Sequence, residues 1–180
     1  MEKNASCFPL FVDLYGRRCV IVGGGAIAAR RAAVLGEFGA SVTVIAPEWK
    51  GGVRNIDWVP RVYVPGDLAG AFLAVAATDD REVNRSVGEE ARKLGIPVSV
   101  ADRREECTFF FPAVCEHGGV TVGLVSHSGG DHRRAAEAAS AVRKALEELD
   151  VRDSEREAGR AFWPLFRLRR SWMLFGHGTR

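Results

Sequence analysis

Three consecutive glycines, Gly23 to Gly25, follow the apolar run 19–22 and precede a helical pattern that begins at Ala26. Their spacing, Gly23-x-Gly25-x-x-Ala28, is that of a dinucleotide-binding turn. In such a turn the first glycine allows a tight bend, the second lets the backbone approach a pyrophosphate, and a small third residue lets helix and strand pack closely. The sequence therefore predicts a phosphate-binding turn between a strand and a helix.

The residues after this turn complete a βαβ unit. Apolar side chains recur with the 3.6-residue period of a helix, at Ile27, Val34, Leu35 and Phe38. Gly39 provides a helix stop, and the β-branched run 41–46 is typical of a parallel strand covered on both faces. The free amides and the dipole of the helix N-terminus would face the phosphate. An α/β turn without a ligand is the alternative.

An acid follows the second strand at the position where the fingerprint expects one. Glu48 lies about 20 residues after Ala28, as does the acid that binds the ribose hydroxyls of NAD. Lys50 and Arg54 follow it closely, and a cation there could hold the 2′-phosphate of NADP. The pattern favours NAD and leaves NADP as the alternative.

Composition limits the classes of protein to consider. The 180 residues suffice for one domain of ordinary size with a small appendage, and a net charge of +2 is too small to indicate nucleic acid. No signal peptide or membrane-spanning stretch is visible, so a cytoplasmic protein that does not enter a membrane is expected. The four cysteines form no CxxC pair and are interpreted as reduced core thiols. No metal site is predicted, because Cys107, Cys115, His117 and His127 match no standard zinc spacing.

The α/β alternation continues towards a second group of polar residues. A strand over 72–77 ends at Thr78-Asp79-Asp80, a helix runs from about Arg81 to Gly95, and a strand over 96–100 delivers Asp102 at its carboxyl end. Ligands of open α/β sheets bind at that edge. Asp79 and Asp80 are interpreted as helix caps. Asp102, followed by the apparent loop 103–106, is either a general base or a turn residue.

The last third of the chain opens with an aromatic cluster, Phe109 to Phe111, which is either core packing or the wall of a pocket for a flat apolar ligand. After a turn at residues 117–119, a strand over 120–125 leads to the polar loop 126–132. A helix follows from about Arg133, with its apolar face at Ala135, Ala139, Val142, Leu146 and Leu149. The basic, aromatic tail 150–180 is expected to pack against the domain or a second subunit, with membrane contact as the alternative.

Residues 8–148 resemble the siroheme synthase amino-terminal domain, the precorrin-2 dehydrogenase (sirohydrochlorin ferrochelatase) family, in the order and spacing of their motifs. The matching segments are 8–11 (FPLF), 22–25 (VGGG), 44–48 (VIAPE), 76–80 (AATDD), 83–84 (VN), 100–102 (VAD), 109–112 (FFFP) and the loop 126–130.

The resemblance implies an α/β, Rossmann-type parallel sheet with helices on both faces, followed by a small dimerisation segment and a short helical tail. The corresponding bounds are 1–112, 113–149 and 150–180. The implied activity is NAD-dependent oxidation of precorrin-2 to sirohydrochlorin by a homodimer, and some members also insert Fe²⁺ to give siroheme. A non-catalytic NAD-sensing module is the alternative from another class.

The resemblance also implies roles for residues. Asp102 resembles the catalytic aspartate of the family, acting as base or proton acceptor. Cofactor contacts are implied at the three strand ends, by Gly23, Gly24, Gly25, Ala26, Ile27, Pro47, Glu48, Ala77, Thr78 and Asp79. Candidates for binding the polycarboxylate tetrapyrrole are Arg103, Arg104, Phe109, Phe111, Ser126, His127, Ser128 and Arg133. The chain departs from the family at Asp131-His132, where Ser-Pro is usual, and at Ser99, where asparagine is frequent.

Overall fold

A computed structural model of the chain describes residues 7–52, 55–126 and 133–149, and the chain divides after Phe111 into two compact units. The first unit contains a five-stranded parallel sheet in the order β3-β2-β1-β4-β5. Its strands are β1 (Arg18–Val22), β2 (Ser41–Ile45), β3 (Ile56–Val59), β4 (Leu73–Ala76) and β5 (Val98–Val100). Helix α1 (Ala26–Glu37) connects β1 to β2, and helix α2 (Arg81–Lys93) connects β4 to β5.

The two helices cover opposite faces of this sheet. Side chains of a strand point alternately to its two faces, and along β1 Cys19 and Ile21 pack with the α1 cluster while Val20 and Val22 pack with the α2 cluster. All four are buried. A strand buried on both sides has a continuous apolar sequence, which explains the run 19–22. The predicted α/β fold with helices on both faces is confirmed.

The buried face of α1 differs from the predicted one. Ala28, Ala32 and Leu35 are its buried residues, whereas Ile27 and Phe38, predicted to lie in the core, are 46% and 38% exposed. Leu35, also predicted to lie in the core, is buried, and Val34 is half-buried. Alanine on the inner face allows the helix backbone to approach the sheet closely. The predicted helix is therefore confirmed, and its predicted apolar face is wrong at Ile27 and Phe38.

Three short elements were not predicted. Strand β3 carries only half-buried or exposed side chains, and it is fixed partly by Trp58 Nε1, which donates to the carbonyl of Ala46 at 2.9 Å. Residues 104–106, expected as an exposed loop, form a 3₁₀ turn, Arg104–Glu106. Strand β6 (Ala113–His117) belongs to the second unit. None of the three has the run of buried apolar residues that marks the predicted strands.

An ion pair organises the connection between β3 and β4. Nη1 and Nη2 of Arg61 donate to the Asp67 carboxylate, at 2.8 and 2.6 Å, and Val64 N donates to Asp67 Oδ2 at 2.9 Å. Beside this pair Leu68 is fully buried against the α2 cluster. The connection is therefore tied to the core although it contains no helix.

We expect Asp67→Asn to unfold at a lower urea concentration than the wild type near neutral pH. The hydrogen bond from Arg61 holds the pKa of Asp67 below its ordinary value. A carboxyl whose pKa is depressed by folding stabilises the protein above its unfolded-state pKa and loses that contribution as the pH falls through the folded-state pKa. The difference should therefore shrink below about pH 4. Asp57→Asn, on an exposed position of β3, is the control, and equal losses for the two variants would contradict the prediction.

The second unit contains an antiparallel hairpin of β6 and β7 (Val120–Leu124). Gly118 and Gly119 connect the strands with φ of 57° and 77°, the left-handed conformation of a two-residue type I′ turn. Residues 133–149 form helix α3, in which Ala139 is buried and Leu149 is 51% exposed. The predicted helix is thus present, with Leu149 outside its buried face. The predicted tail 150–180 lies outside the described residues.

The cysteines only partly match the expectation of core thiols. Cys19 and Cys115 are buried, Cys107 is half-buried and Cys7 is exposed, all as free thiols. Burial raises the pKa of Cys19 to about 11, so this thiol stays protonated and unreactive. Within the described ranges, no helix combines the length and apolarity needed to cross a bilayer.

Candidate cofactor and acid site at the carboxyl edge of the sheet

The order of the strands marks the carboxyl ends of β1 and β4 as the place where a ligand is expected. The chain leaves β1 through α1 on one face and leaves β4 through α2 on the other, so the strand order reverses between these two neighbours. Open α/β sheets bind ligands at such a reversal, outside the carboxyl ends of the strands. Gly23 follows β1 and Ala77 follows β4 directly, so the predicted phosphate turn lies at this reversal.

Backbone hydrogen bonds continue the sheet one residue beyond these strand ends. Gly23 N donates to Ile45 O at 3.0 Å, Ala77 N donates to Val22 O at 2.8 Å, and Ala101 N donates to Ala76 O at 2.9 Å. The first residues of three loops therefore have fixed positions. We call this row of loop starts the carboxyl edge.

The three glycines of the turn meet three different requirements. A Cβ on Gly23, whose φ is 123°, would lie 2.2 Å from Ala77 O, and a Cβ on Gly24 would lie 1.7 Å from Glu48 O. Lys50 N also donates to Gly24 O at 3.1 Å, so the loop after β2 packs directly on the turn. A Cβ on Gly25 would meet nothing within 4 Å. Gly23 and Gly24 thus allow close backbone packing, while Gly25 faces open space.

The N-terminus of α1 suits an anionic group. Gly25 is its N-cap, none of the described side chains caps the helix, and its first turn contains no acidic residue. The first amides of a helix have no partner within the helix and bind phosphate readily. Together with the open space at Gly25, this donor set fits the pyrophosphate of a dinucleotide, with no cationic side chain required. Glu48, in the loop packed on Gly24, is exposed.

A network of side chains fixes the opposite side of this edge. Asn84 Oδ1 accepts hydrogen bonds from Thr78 N at 3.0 Å and from Thr78 Oγ1 at 2.8 Å, and Asn84 Nδ2 donates to Thr78 O and Asp102 Oδ1, both at 3.0 Å. Asn84 is 1% exposed, whereas the Asp102 side chain is 37% exposed. The network thus presents an oriented carboxylate that solvent can still reach.

Charged groups surround the other oxygen of this carboxylate. Arg81 Nη1 lies 3.5 Å from Asp102 Oδ2, and Arg81 Nη2 donates to Glu106 Oε1. Arg92 lies on the far side of Glu106, with its Nη2 3.9 Å from Glu106 Oε2. In the described part of the chain, Arg81 Nη1 and Glu106 Oε2 are buried atoms without a hydrogen-bond partner. Arg81 therefore keeps a donor available on the side that faces Asp102.

Two acids follow Thr78 in the sequence. One of them caps a helix, and the other shows no structural role among the described residues. Asp80 is the N-cap of α2, accepting from Glu82 N at 2.8 Å and from Val83 N at 3.3 Å, which confirms helix capping for this residue. Asp79 is exposed at the same edge. Asp79 and Ala77 therefore lie where a cofactor bound at the reversal would pass, and their contacts with it stay a prediction.

The aromatic cluster packs within the first unit. The rings of Phe109 and Phe111 are 5.1 Å apart and contact the α1 cluster, with the Arg31 guanidinium 4.0 Å above the Phe111 ring. Arg104, a predicted substrate ligand, stacks 4.2 Å above Phe110. Core packing accounts for these contacts, and a ligand-facing wall stays a prediction.

The remaining predicted substrate ligands lie apart from this network or outside the described residues. Arg103 is exposed, and in the second unit Ser126 is half-buried. Arg133, 90% exposed, pairs with Glu137 at 2.9 Å. His127, Ser128, Asp131 and His132 lie outside the described residues, as does Arg54. Among the described residues, no three His, Cys, Asp or Glu side chains form a group that could hold a metal ion.

Three residues of the network had no predicted site role: Arg81, Asn84 and Glu106. A signal for Asn84 exists in the sequence, because it shares the buried face of α2 with Val87 and Ala91 at helical spacing. An amide on an apolar face needs hydrogen-bond partners and so marks a polar cluster. The pairing of Arg81 with Glu106 joins residues 25 apart and has no such signal.

Comparisons with known proteins agree with this geometry. A family described as "Putative NAD(P)-binding" matches residues 10–113. The probable multifunctional siroheme biosynthesis protein HemA of Ruminiclostridium josui is 41% identical over 143 residues, 76% of this chain and 28% of that protein. The siroheme synthase of Azotobacter vinelandii is 42% identical over 129 residues, 68% of this chain and 27% of that protein. The chain thus matches little more than a quarter of the length of these relatives.

A solved structure shares the fold. SirC, a precorrin-2 dehydrogenase, superposes with a TM-score of 0.63 at 24% identity, covering 77% of this chain and 71% of its own. This likeness confirms the Rossmann-type architecture. The family match extends from before β1 into β6 and so includes the glycine turn, the Thr78 segment and Asp102. With more than half of its residues matched, the chain belongs to this NAD(P)-binding family.

Proposed function

We propose that this chain oxidises precorrin-2 to sirohydrochlorin with NAD as the hydride acceptor. The observation that carries the proposal is the Asp102 carboxylate, oriented by Asn84 at the same carboxyl edge as the glycine turn. The names of the relatives support the substrate class, since they are siroheme synthases, a siroheme biosynthesis protein and a precorrin-2 dehydrogenase.

The proposed reaction removes a hydride and a proton from the macrocycle. NAD, when bound, supplies the acceptor for the hydride. The proton requires a base, and Asp102 is available for this role. Asn84 fixes one of its oxygens, Arg81 Nη1 lies 3.5 Å from the other, and the side chain is 37% exposed, so it can return the proton to solvent. Thr78 and the first turn of α1 would hold the cofactor at the reversal of strand order.

The choice of NAD over NADP rests on Glu48. Its backbone packs on Gly24, which places its exposed side chain beside the phosphate turn. A carboxylate there binds ribose hydroxyls and repels a 2′-phosphate. We therefore propose a lower KM for NAD than for NADP, and Glu48→Gln should reduce this preference.

The activity can be tested directly. Purified chain is mixed with precorrin-2 and NAD without oxygen, and NADH and sirohydrochlorin are followed by their absorbance. We expect the two to appear in equal amounts, and parallel reactions with NADP report the preference of the cofactor site. Absence of NADH with a folded chain that binds NAD would reject the dehydrogenase and favour the NAD-sensing module.

Iron insertion is tested in the same vessel. Fe²⁺ added after the oxidation should convert sirohydrochlorin to siroheme faster than in buffer alone if the chain is bifunctional, with Fe²⁺ as a substrate. An unchanged rate would restrict the chain to oxidation. The homodimer implied by the resemblance and the cytoplasmic location expected from the sequence are also proposals, and sedimentation of the purified chain tests the first.

A further inference from the structure

Asn84 is a polar residue in an apolar environment. It lies on the inner face of α2 between the sheet and the helix, with Val87 and Ala91 on the following turns, and is 1% exposed. A buried amide is costly unless its hydrogen bonds are made. An apolar side chain at this position would satisfy the packing of α2, so the packing does not explain the asparagine.

All four hydrogen bonds of the Asn84 side chain go to the carboxyl edge. An amide side chain has two N–H donors and two acceptor sites, and here both acceptor sites bind Thr78 while the donors bind Thr78 O and Asp102 Oδ1. Three of these bonds have a donor proton of their own, and the fourth shares the single hydroxyl proton of Thr78 with Asp80 O, which lies 2.9 Å from Thr78 Oγ1. The side chain thus joins the segment after β4 to the acid after β5.

The partners also determine which way the amide points. Thr78 N is a donor and must face the amide oxygen, whereas Thr78 O and the Asp102 carboxylate are acceptors and must face the amide nitrogen. A flipped amide would place oxygen against oxygen at two contacts. Asn84 therefore holds Asp102 as a charged acceptor in one orientation.

A second residue of α2 forms an ion pair with the other carboxylate oxygen of Asp102. Arg81 lies three residues before Asn84, one helical turn away, with its Nη1 3.5 Å from Asp102 Oδ2. The charge of Arg81 is shared with Glu106, and Arg92 lies beyond Glu106. The first turn of α2 thus places a hydrogen-bond donor at one oxygen of Asp102 and a positive charge near the other.

We propose that Asn84 is a positioning residue that keeps the Asp102 carboxylate in a fixed relation to the Thr78 segment of the cofactor site. The inference rests on the proposed function, in which Asp102 accepts a proton. Asn84 contacts neither the substrate nor the cofactor and acts through these two neighbours. A small displacement of a reacting group lowers turnover strongly, and loss of a supporting partner commonly costs 10- to 100-fold.

The first test is kinetic. We expect Asn84→Ala to lower kcat for precorrin-2 oxidation by about 10- to 100-fold, with a smaller change in the Kd for NAD. Asn84→Asp should be worse, because it places a second carboxylate 3.0 Å from Asp102 Oδ1. Val87→Ala is the matched control, since Val87 is fully buried on the same helix face without a contact in the network. It should lower the Tm and leave kcat unchanged.

The double variant separates positioning from general stability. If Asn84 acts through Asp102, then Asn84→Ala combined with Asp102→Asn should have the kcat of Asp102→Asn alone. A folded Asn84→Ala chain with wild-type kcat would overturn the inference. Losses that multiply in the double variant would overturn it as well.

An NMR measurement tests the contact without any turnover. The side-chain amide protons of Asn84 should exchange slowly with solvent, and their signals should shift in Asp102→Ala while the amide signals of Val87 and Ala91 stay in place. Unmoved Asn84 signals would overturn the inference. Should the wild type produce no NADH from precorrin-2, the proposed function fails, and this measurement still decides whether Asn84 holds Asp102.

Discussion

Asp102→Asn should lower NADH formation from precorrin-2 by about 10²- to 10⁴-fold while the chain still binds NAD. Asparagine has the shape of aspartate, and its Oδ1 can still accept the hydrogen bond from Asn84, which is 3.0 Å long in the wild type. The amide cannot take up a proton. Loss of a general base costs on the order of 10² to 10⁴ in rate, so turnover should fall by that factor, and the residual rate is measured at high enzyme concentration. Anaerobic turnover and fluorescence titration with NAD measure the two effects separately.

The control for this variant is another acid of the same region. Glu105→Gln removes an exposed carboxylate from the 3₁₀ turn that follows Asp102, and we expect its rate to match that of the wild type. A wild-type rate in Asp102→Asn would remove the role of the acid. Equal losses in both variants would indicate that the charge of the region matters and that no single base does.

In Gly24→Ala, the first unit should unfold at a much lower urea concentration, and the chain should lose NAD binding. The added Cβ would lie 1.7 Å from the backbone oxygen of Glu48, closer than any two unbonded heavy atoms can come. Relief requires the loop after β2 to move away, which breaks the bond from Lys50 N to Gly24 O. Forced overpacking commonly costs about 1 to 3 kcal/mol, and a backbone clash lies at or above the upper end. Urea unfolding measures the stability.

Two further glycines provide the controls. Gly36 is exposed in α1, and a Cβ there meets nothing within 4 Å, so Gly36→Ala should stabilise the chain by about 0.5 to 1 kcal/mol. Gly25→Ala also meets open space. It should preserve stability and weaken NAD binding, because its methyl group enters the space assigned to the pyrophosphate. Wild-type stability of Gly24→Ala would contradict the prediction, because it would show that the loop after β2 can move without lowering the free energy of unfolding.

The features that the sequence predicted best are local. The glycine turn, both helices of the first unit and the strands β1, β2, β4 and β5 follow from short-range periodicity and from stop residues, because each is encoded within about fifteen neighbouring residues. Strand β3 was missed because an edge strand has one partner and few buried side chains. Part of the buried face of α1 was missed because Ala28 and Ala32, which lie on it beside the predicted Leu35, are only weakly apolar.

In the candidate site, too, the local features were predicted better than the non-local ones. The sequence placed Asp102 at the carboxyl end of a strand but left open whether it was a base or a turn residue, and the resemblance to a family was needed to favour the base. What holds it could be predicted only in part. Asn84 has a signal, as an amide on an apolar helix face, but its bond to Asp102 and the pairing of Arg81 with Glu106 join residues 18 and 25 positions apart. Interactions between distant residues depend on the completed packing and leave no spacing in the sequence.

The hydrogen bonds that continue the sheet past β1 and β4 have a thermodynamic consequence. Gly23 and Ala77 are ordered by the same ladder that holds the strands, so their conformational entropy is lost when the chain folds. A ligand that arrives at this edge does not have to order these residues again, and more of its contact energy remains as affinity. Their amides should exchange hydrogen as slowly as those of the central strands, by global unfolding and not by local opening.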